Sequence, residues 1–310
     1  MKFYRKLLIP SALIFLFSIF TACGTKSSAE RFIPQDVQGY GEIHLGKILN
    51  EKLTKEVLAK IEEATGKDPL ESVNESISRI QNEVGDIENV TFFFANLQGK
   101  AFGMDGDFGI IYTVKKLDVE KFTASLETAG EDAKKTYQEK FTYYNDRDLG
   151  FLYFKKNTLF LSNKEEVLLQ IFDVMGGAPG FDKNKELQGL VKKVKGNDIF
   201  FASLSSESLR EMSPQLAEAK SIVIGLSVNS GVNALISCDL GNEENAAATE
   251  KQLNEMLSME NPLMSTILMA YKDLIAQINV KKDNTTVTVS GKFTGEQVKT
   301  LTNTLTGMIQ

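Results

Sequence analysis

Tryptophan is absent from this 310-residue chain, histidine occurs once, cysteine twice and proline six times. A single imidazole cannot furnish the two or three histidines that catalytic zinc sites commonly use, and two thiols cannot replace them. Two cysteines also exclude a disulfide framework of several bridges. No Gly-Lys-Ser/Thr run and no Gly-x-Ser-x-Gly elbow occur, which removes the P-loop and the α/β-hydrolase nucleophile. Basic excess is missing as well, with 35 Lys and Arg against 41 Asp and Glu. An acidic chain without a basic stripe is a poor partner for nucleic acid or for an anionic membrane surface. No cofactor is expected.

Long apolar runs are confined to the amino terminus. Lys2, Arg5 and Lys6 precede an almost uninterrupted apolar stretch, Leu7 to Phe20. As a helix this stretch is about 21 Å long, short of the ~30 Å hydrocarbon core of a bilayer. Pro10 interrupts it and no cluster of charges stops it, which fits a secretory signal peptide over residues 1–22. Phe20-Thr21-Ala22-Cys23 then resembles the lipobox of bacterial lipoproteins. Phe20 stands where Leu is usual, so the match is to a relaxed box of the kind seen in spirochaetal lipoproteins. The resemblance implies a diacylglyceryl thioether on Cys23, cleavage before it, further acylation such as palmitate on the new amine, and a lipid-anchored envelope location, the outer membrane above the inner. Each buried methylene contributes about 0.8 kcal/mol, so two or more chains hold where one is marginal. Residues 23–31 read as the lipidated Cys and a short flexible tether. Cleavage removes three basic residues and no acidic one, leaving 32 against 41 and a net charge of −9.

Beyond residue 31 strand-like and helix-like segments alternate, and their order repeats. Val37–Leu45 alternates as a strand does, and a helical stripe of Ile48, Leu49, Leu53, Val57, Leu58 and Ile61 follows, ending at Gly66. Asp68-Pro69 opens a second helix through Val84. Ile87–Leu97 and Phe108–Val114 form an aromatic-rich hairpin, followed by a helix over Asp118–Ala129. Strands at Gln138–Asp146, Leu149–Lys155 and Asn157–Ser162 lead to a helix around Lys164–Met175. The second half replays this order with strands at Asn197–Leu204, Lys220–Asn229 and Val232–Leu240. Its helices are expected near Ser206–Glu218, Glu243–Ser258 and Leu263–Asp273, and a last hairpin precedes the helix Gly295–Met308. The clearest local likeness sets Asn157–Phe172 against Asn284–Leu301: both read Asn-Thr, strand, Ser, then an amphipathic helix. The chain therefore reads as an α+β protein of two similar β-α-β-β-α-β-β-α halves, residues 32–178 and 179–310. Mainly antiparallel sheets should carry helices packed on one face. The pattern is similar to that of exported, duplicated α/β proteins of unknown function.

Candidate sites are few. His44 reads as an ordinary polar residue near a strand end, and the glycines of Gly39–Gly46 lack the dinucleotide-binding order. Asp105 and Asp107 match a cation loop only in part, because Lys116 occupies the place of the closing glutamate. Cys238 reads as a small buried apolar residue. Two aromatic bursts remain, Phe92-Phe93-Phe94 and Phe200-Phe201. Consecutive strand residues point to opposite faces, so one of each pair looks away from the helices. Phe92, Phe94 and Phe200 are the candidate lining of a hydrophobic groove. The sequence thus predicts a non-catalytic binding or scaffolding lipoprotein with an envelope or host protein as partner. A carrier of lipid or another hydrophobic ligand, and a surface adhesin for host components, are the alternatives.

Overall fold

A computed structural model describes residues 28–66, 86–96, 106–127, 134–147, 149–204, 219–258 and 272–307. The expected helices over 68–84 and 206–218, most of that near 263–273, and Cys23 lie outside the described residues.

Among the described residues twelve strands form one continuous antiparallel sheet: β1 (Gly39–Ile43), β2 (Ile87–Asn96), β3 (Asp107–Val114), β4 (Lys134–Tyr137), β5 (Phe141–Asp146), β6 (Gly150–Lys155), β7 (Thr158–Ser162), β8 (Ile199–Ser203), β9 (Ser221–Val228), β10 (Gly231–Asp239), β11 (Ile278–Asp283) and β12 (Thr286–Thr294). Their spatial order is β11-β12-β10-β9-β8-β1-β2-β3-β7-β6-β5-β4. Reading outwards from the central β1–β8 pair, both directions follow one scheme: first strand, hairpin, returning final strand, its predecessor. The α+β class, the antiparallel pairing and the duplicated order all hold. Taking Gly41 opposite Phe201 as the midpoint, the registers set Ser162 of β7 in the place of Ser290 of β12. The Ser of the Asn-Thr…Ser likeness is thus in register, while Asn157 falls one residue out of step, in the place of Thr285. The first half departs by one strand. In place of a single strand over Gln138–Asp146, β4 and β5 form a hairpin whose turn contains Gln138 and Glu139 with φ of 50° and 55°.

Six described helices of two turns or more pack against the sheet: α1 (Lys52–Thr65), α2 (Val119–Glu127), α3 (Glu165–Met175), α4 (Lys185–Val194), α5 (Glu243–Leu257) and α6 (Gly295–Gly307). The front face, carrying Tyr40, Phe93, Ile111, Phe160 and Phe200, holds the largest core. There α3 inserts Val167, Leu168, Ile171 and Phe172, and α4 inserts Leu187, Val191 and Val194. Both sets recur every three to four residues, the spacing that puts them on one side of a helix. Phe172 stacks on Phe141, with centroids 4.6 Å apart, and meets Tyr153 edge-on. The back face is covered towards its two ends. Phe122 of α2 packs with Tyr112, Leu152 and Leu159; α1 and α6 bring Leu53, Val57 and Val298 onto Val228 and Val232; α5 brings Ala246 onto Cys238 and Val287. Gly66 ends α1 as expected, in the left-handed conformation that costs glycine least.

The halves are clasped as well as paired. Asn184 caps α4 by accepting from Leu187 N–H, and its amide donates to the carbonyls of Gln35 and Val37 ahead of β1. Phe181 N–H donates to Ile33 O, and Lys195 pairs with Glu30 at 2.6 Å.

Candidate functional site

The aromatic bursts divide between the faces, as the period of two requires. Phe92 and Phe94 of β2 point to the back, where Phe201 of β8 meets them across β1. The three rings form a closed set: Phe92 and Phe201 stack with centroids 5.9 Å apart, and Phe94 meets them edge-on at 6.2 and 6.0 Å. They can lie over β1 because two of its three back-facing positions are Gly39 and Gly41. A Cβ on Gly39 would sit 3.2 Å from the Phe201 ring; one on Gly41 would run into the Phe92 ring and lie 2.6 Å from Phe200 O. Phe92, Phe94 and Phe201 are each half-buried.

Phe200 is a correction to the expected groove. It points to the front, is 1% exposed, and packs edge-on against Tyr40, whose ring also meets Phe181. Alternation makes Phe201, its neighbour, the partner of Phe92 and Phe94. The burst is plain in the sequence, but its phase is set by the β1–β8 register.

The triad belongs to a longer apolar row on the back face. Cross-strand partners run Leu161, Ile110, Phe92, Gly41, Phe201, Ile224, Ile236, Val289 and Val280. From Ile110 to Ile236 this row crosses six strands, or about 24 Å at ~4.8 Å per strand. Its side chains there are half-buried, and Ile236 is 44% exposed.

The front side of β1 carries a different chemistry. Tyr40, Glu42 and His44 alternate onto one side, beneath the core. Tyr40 Oη donates to Glu42 Oε1. Glu42 Oε2 lies 3.9 Å from His44 Nε2, and His44 Nδ1 lies 2.8 Å from Asn89 Oδ1, an acceptor, so Nδ1 carries the proton. Glu42 is 2% exposed. Burial raises its pKa, against the lowering effect of the Tyr40 hydrogen bond, His44 and Lys195. The Tyr40 hydroxyl is pushed well above its ordinary value by burial and by Glu42. Asp198, just before β8, accepts from Val228 N–H at 2.7 Å, and burial raises its carboxyl to about 6. These buried acids are not evident from the sequence. The one available signal is alternation, which sets Glu42 on the side of Tyr40, opposite the side that carries Gly39, Gly41 and Ile43. No serine, threonine or cysteine oxygen or sulfur is hydrogen-bonded to His44 among the described residues, and the group reads as a satisfied buried network.

The remaining candidates are quiet. Cys238 is buried, and desolvation pushes its thiol to about 11, far from the thiolate that nucleophilic or metal chemistry needs. Asp107 opens β3, and Asp105 lies outside the described residues. Among the described residues no group of three or more His, Cys, Asp and Glu could hold a metal ion, and no helix is long and apolar enough to cross a membrane.

No protein-family model and no curated protein matches the chain. Three solved structures of TP0453 resemble it over most of both chains. Crystal form III gives a TM-score of 0.46 at 9% identity, covering 88% of this chain and 97% of that one. Crystal form I gives 0.45 at 9% identity, covering 88% and 96%. Crystal form IV gives 0.43 at 10% identity, covering 89% and 96%.

Proposed function

We propose that this chain is a non-catalytic bacterial envelope lipoprotein, anchored through Cys23, whose two repeats carry the acyl portion of a lipid on the back of their shared sheet. The apolar row centred on Phe92, Gly41 and Phe201 carries this reading. It runs unbroken across the joint between the halves, and its ~24 Å exceeds the depth of one leaflet, half of a ~30 Å hydrocarbon core. Half-buried aromatic side chains with no polar neighbour in their row suit an alkyl chain and give a polar ligand nothing to bond. Binding and scaffolding of an envelope or host protein is the broader reading within which this one falls.

The test is extraction of the protein from its own membrane, followed by mass spectrometry of lipids that remain after detergent exchange. A defined stoichiometry of acyl lipid is expected, falling about tenfold or more in Phe201→Ser, since losing a large apolar contact of 1.5–3 kcal/mol corresponds to that factor. Retention of the same lipid by Phe92→Ser and Phe201→Ser proteins that unfold normally would remove the proposal. For the anchor, Cys23→Ser should leave the protein without thioether lipid and shift its detergent partitioning. A bare thiol on the native amino-terminal peptide would refute it.

A further inference from the structure

The two halves differ most on the front face. In the first half Phe93 lays its ring over Gly109, and α3 closes that surface beyond Ser162. The sheet registers place Gly225 where Phe93 stands, Leu235 where Gly109 stands and Ser290 where Ser162 stands. The helix that follows β12, α6, packs on the back face against α1. Among the described residues, the aromatic ring and the helix that fill the first half thus have no counterpart at the matching place in the second. What remains is a concavity of about 540 Å³, within the range of small-molecule sites.

Its walls are built. With no side chain at Gly225, Asn197 lies down on the sheet, its amide nitrogen 2.6 Å from where a Cβ would be. Asn197 is held there by Ser227 Oγ, which donates to its Oδ1 at 2.9 Å, and by its own bond to Val194 O. Half-buried Leu235 forms the floor. Asn233, Asn279 and Ser290 present amide and hydroxyl groups around it, with Gln277 at the rim and Lys292 as the one charged side chain among the described residues of the lining.

We propose that this concavity binds an anionic saccharide. Each sugar hydroxyl both donates and accepts, and side-chain amides and hydroxyls offer both roles too. A small apolar floor suits the C–H face of a pyranose ring, and it is too small to hold an alkyl chain. Among the described residues the lining contains one ammonium and no carboxylate, in a chain with net negative charge, so the favoured ligand carries a single acidic group opposite Lys292. This site lies on the face opposite the apolar row and is independent of it.

The test titrates the full-length protein in detergent with a trisaccharide carrying a single galacturonic acid residue and with its all-galactose neutral counterpart, by calorimetry and by saturation-transfer NMR. Saturable binding of the acidic sugar is expected, with the neutral sugar at least about tenfold weaker. Lys292→Met should reduce the acidic sugar to the level of the neutral one, and Asn279→Ala should weaken both. Both positions are exposed, so folding is retained and can be checked by circular dichroism. Absence of saturable binding by either sugar overturns the proposal, as does equal affinity for both, or binding untouched by both substitutions.

Discussion

Asp198→Asn tests the reading of the buried joint most directly. The carboxylate sits where β1, β8 and β9 meet: Asp198 N–H donates to Leu226 O, its own carbonyl accepts from His44 N–H, and Oδ2 takes Val228 N–H at 2.7 Å. Burial raises its pKa from 3.8 to about 6, although the Val228 bond, Lys47 and His44 all favour the charged form; Glu51 adds to the rise. A carboxyl whose folded pKa lies above its unfolded value adds stability fully at pH below the unfolded value. That contribution is lost as pH rises through about 6. A shift of about two pH units corresponds to at most ~3 kcal/mol, so about 1–3 kcal/mol is expected. Asparagine keeps an oxygen for Val228 N–H and cannot ionise. Urea unfolding of both proteins should give nearly equal stability at pH 4. By pH 8 the asparagine variant should be more stable by about 1–3 kcal/mol. Other titrating groups are common to both proteins and cancel in the difference. A gap that is the same at pH 4 and pH 8, or a variant less stable at pH 8, would refute the buried, desolvated carboxylate.

Thr54 is buried in α1 with its hydroxyl unpaired among the described residues, so Thr54→Val, of nearly the same shape, should raise stability by about 0.5–2 kcal/mol in chemical denaturation. Gly41→Ala must displace the Phe92 ring from β1; a loss of about 1–3 kcal/mol is expected from overpacking, and Phe92→Ala in the same chain should recover part of it. Gly189 is exposed inside α4 with open space around its Cβ position, so Gly189→Ala should gain about 0.5–1 kcal/mol, read as a rise in thermal midpoint. Asn184→Ala removes the cap of α4 and leaves Gln35 and Val37 carbonyls without their donor; it should cost about 1–3 kcal/mol, and a neutral result would show that the clasp between the halves contributes nothing.

Much of the scaffold was legible because its signals are local. The stripe that became α3 appears as Val167, Leu168, Ile171 and Phe172, and Gly66 stops α1 through its own backbone freedom. The last hairpin was equally visible, and Asn284 in its turn takes the positive φ that asparagine tolerates. The β4–β5 hairpin was not legible, because Gln138 and Glu139 carry no turn preference and their left-handed backbone is imposed by pairing on either side. The candidate groove was half legible. Phe92 and Phe94 belong together by strand periodicity, but the choice of Phe201 over Phe200 depends on which residue faces Gly41. The second-half concavity gave no linear signal, since Gly225, Asn197, Leu235 and Lys292 are brought together from three strands and a loop.

By itself the sequence determined the α+β class and the repeated order of elements, because hydropathy and periodicity act along the chain. Only the tertiary structure decided that the two repeats share one sheet, that Glu42 and Asp198 are buried at their joint, and that α3 and α6 settle on opposite faces. Strand register and helix placement arise from contacts between residues far apart in sequence, and those contacts have no counterpart in any local pattern.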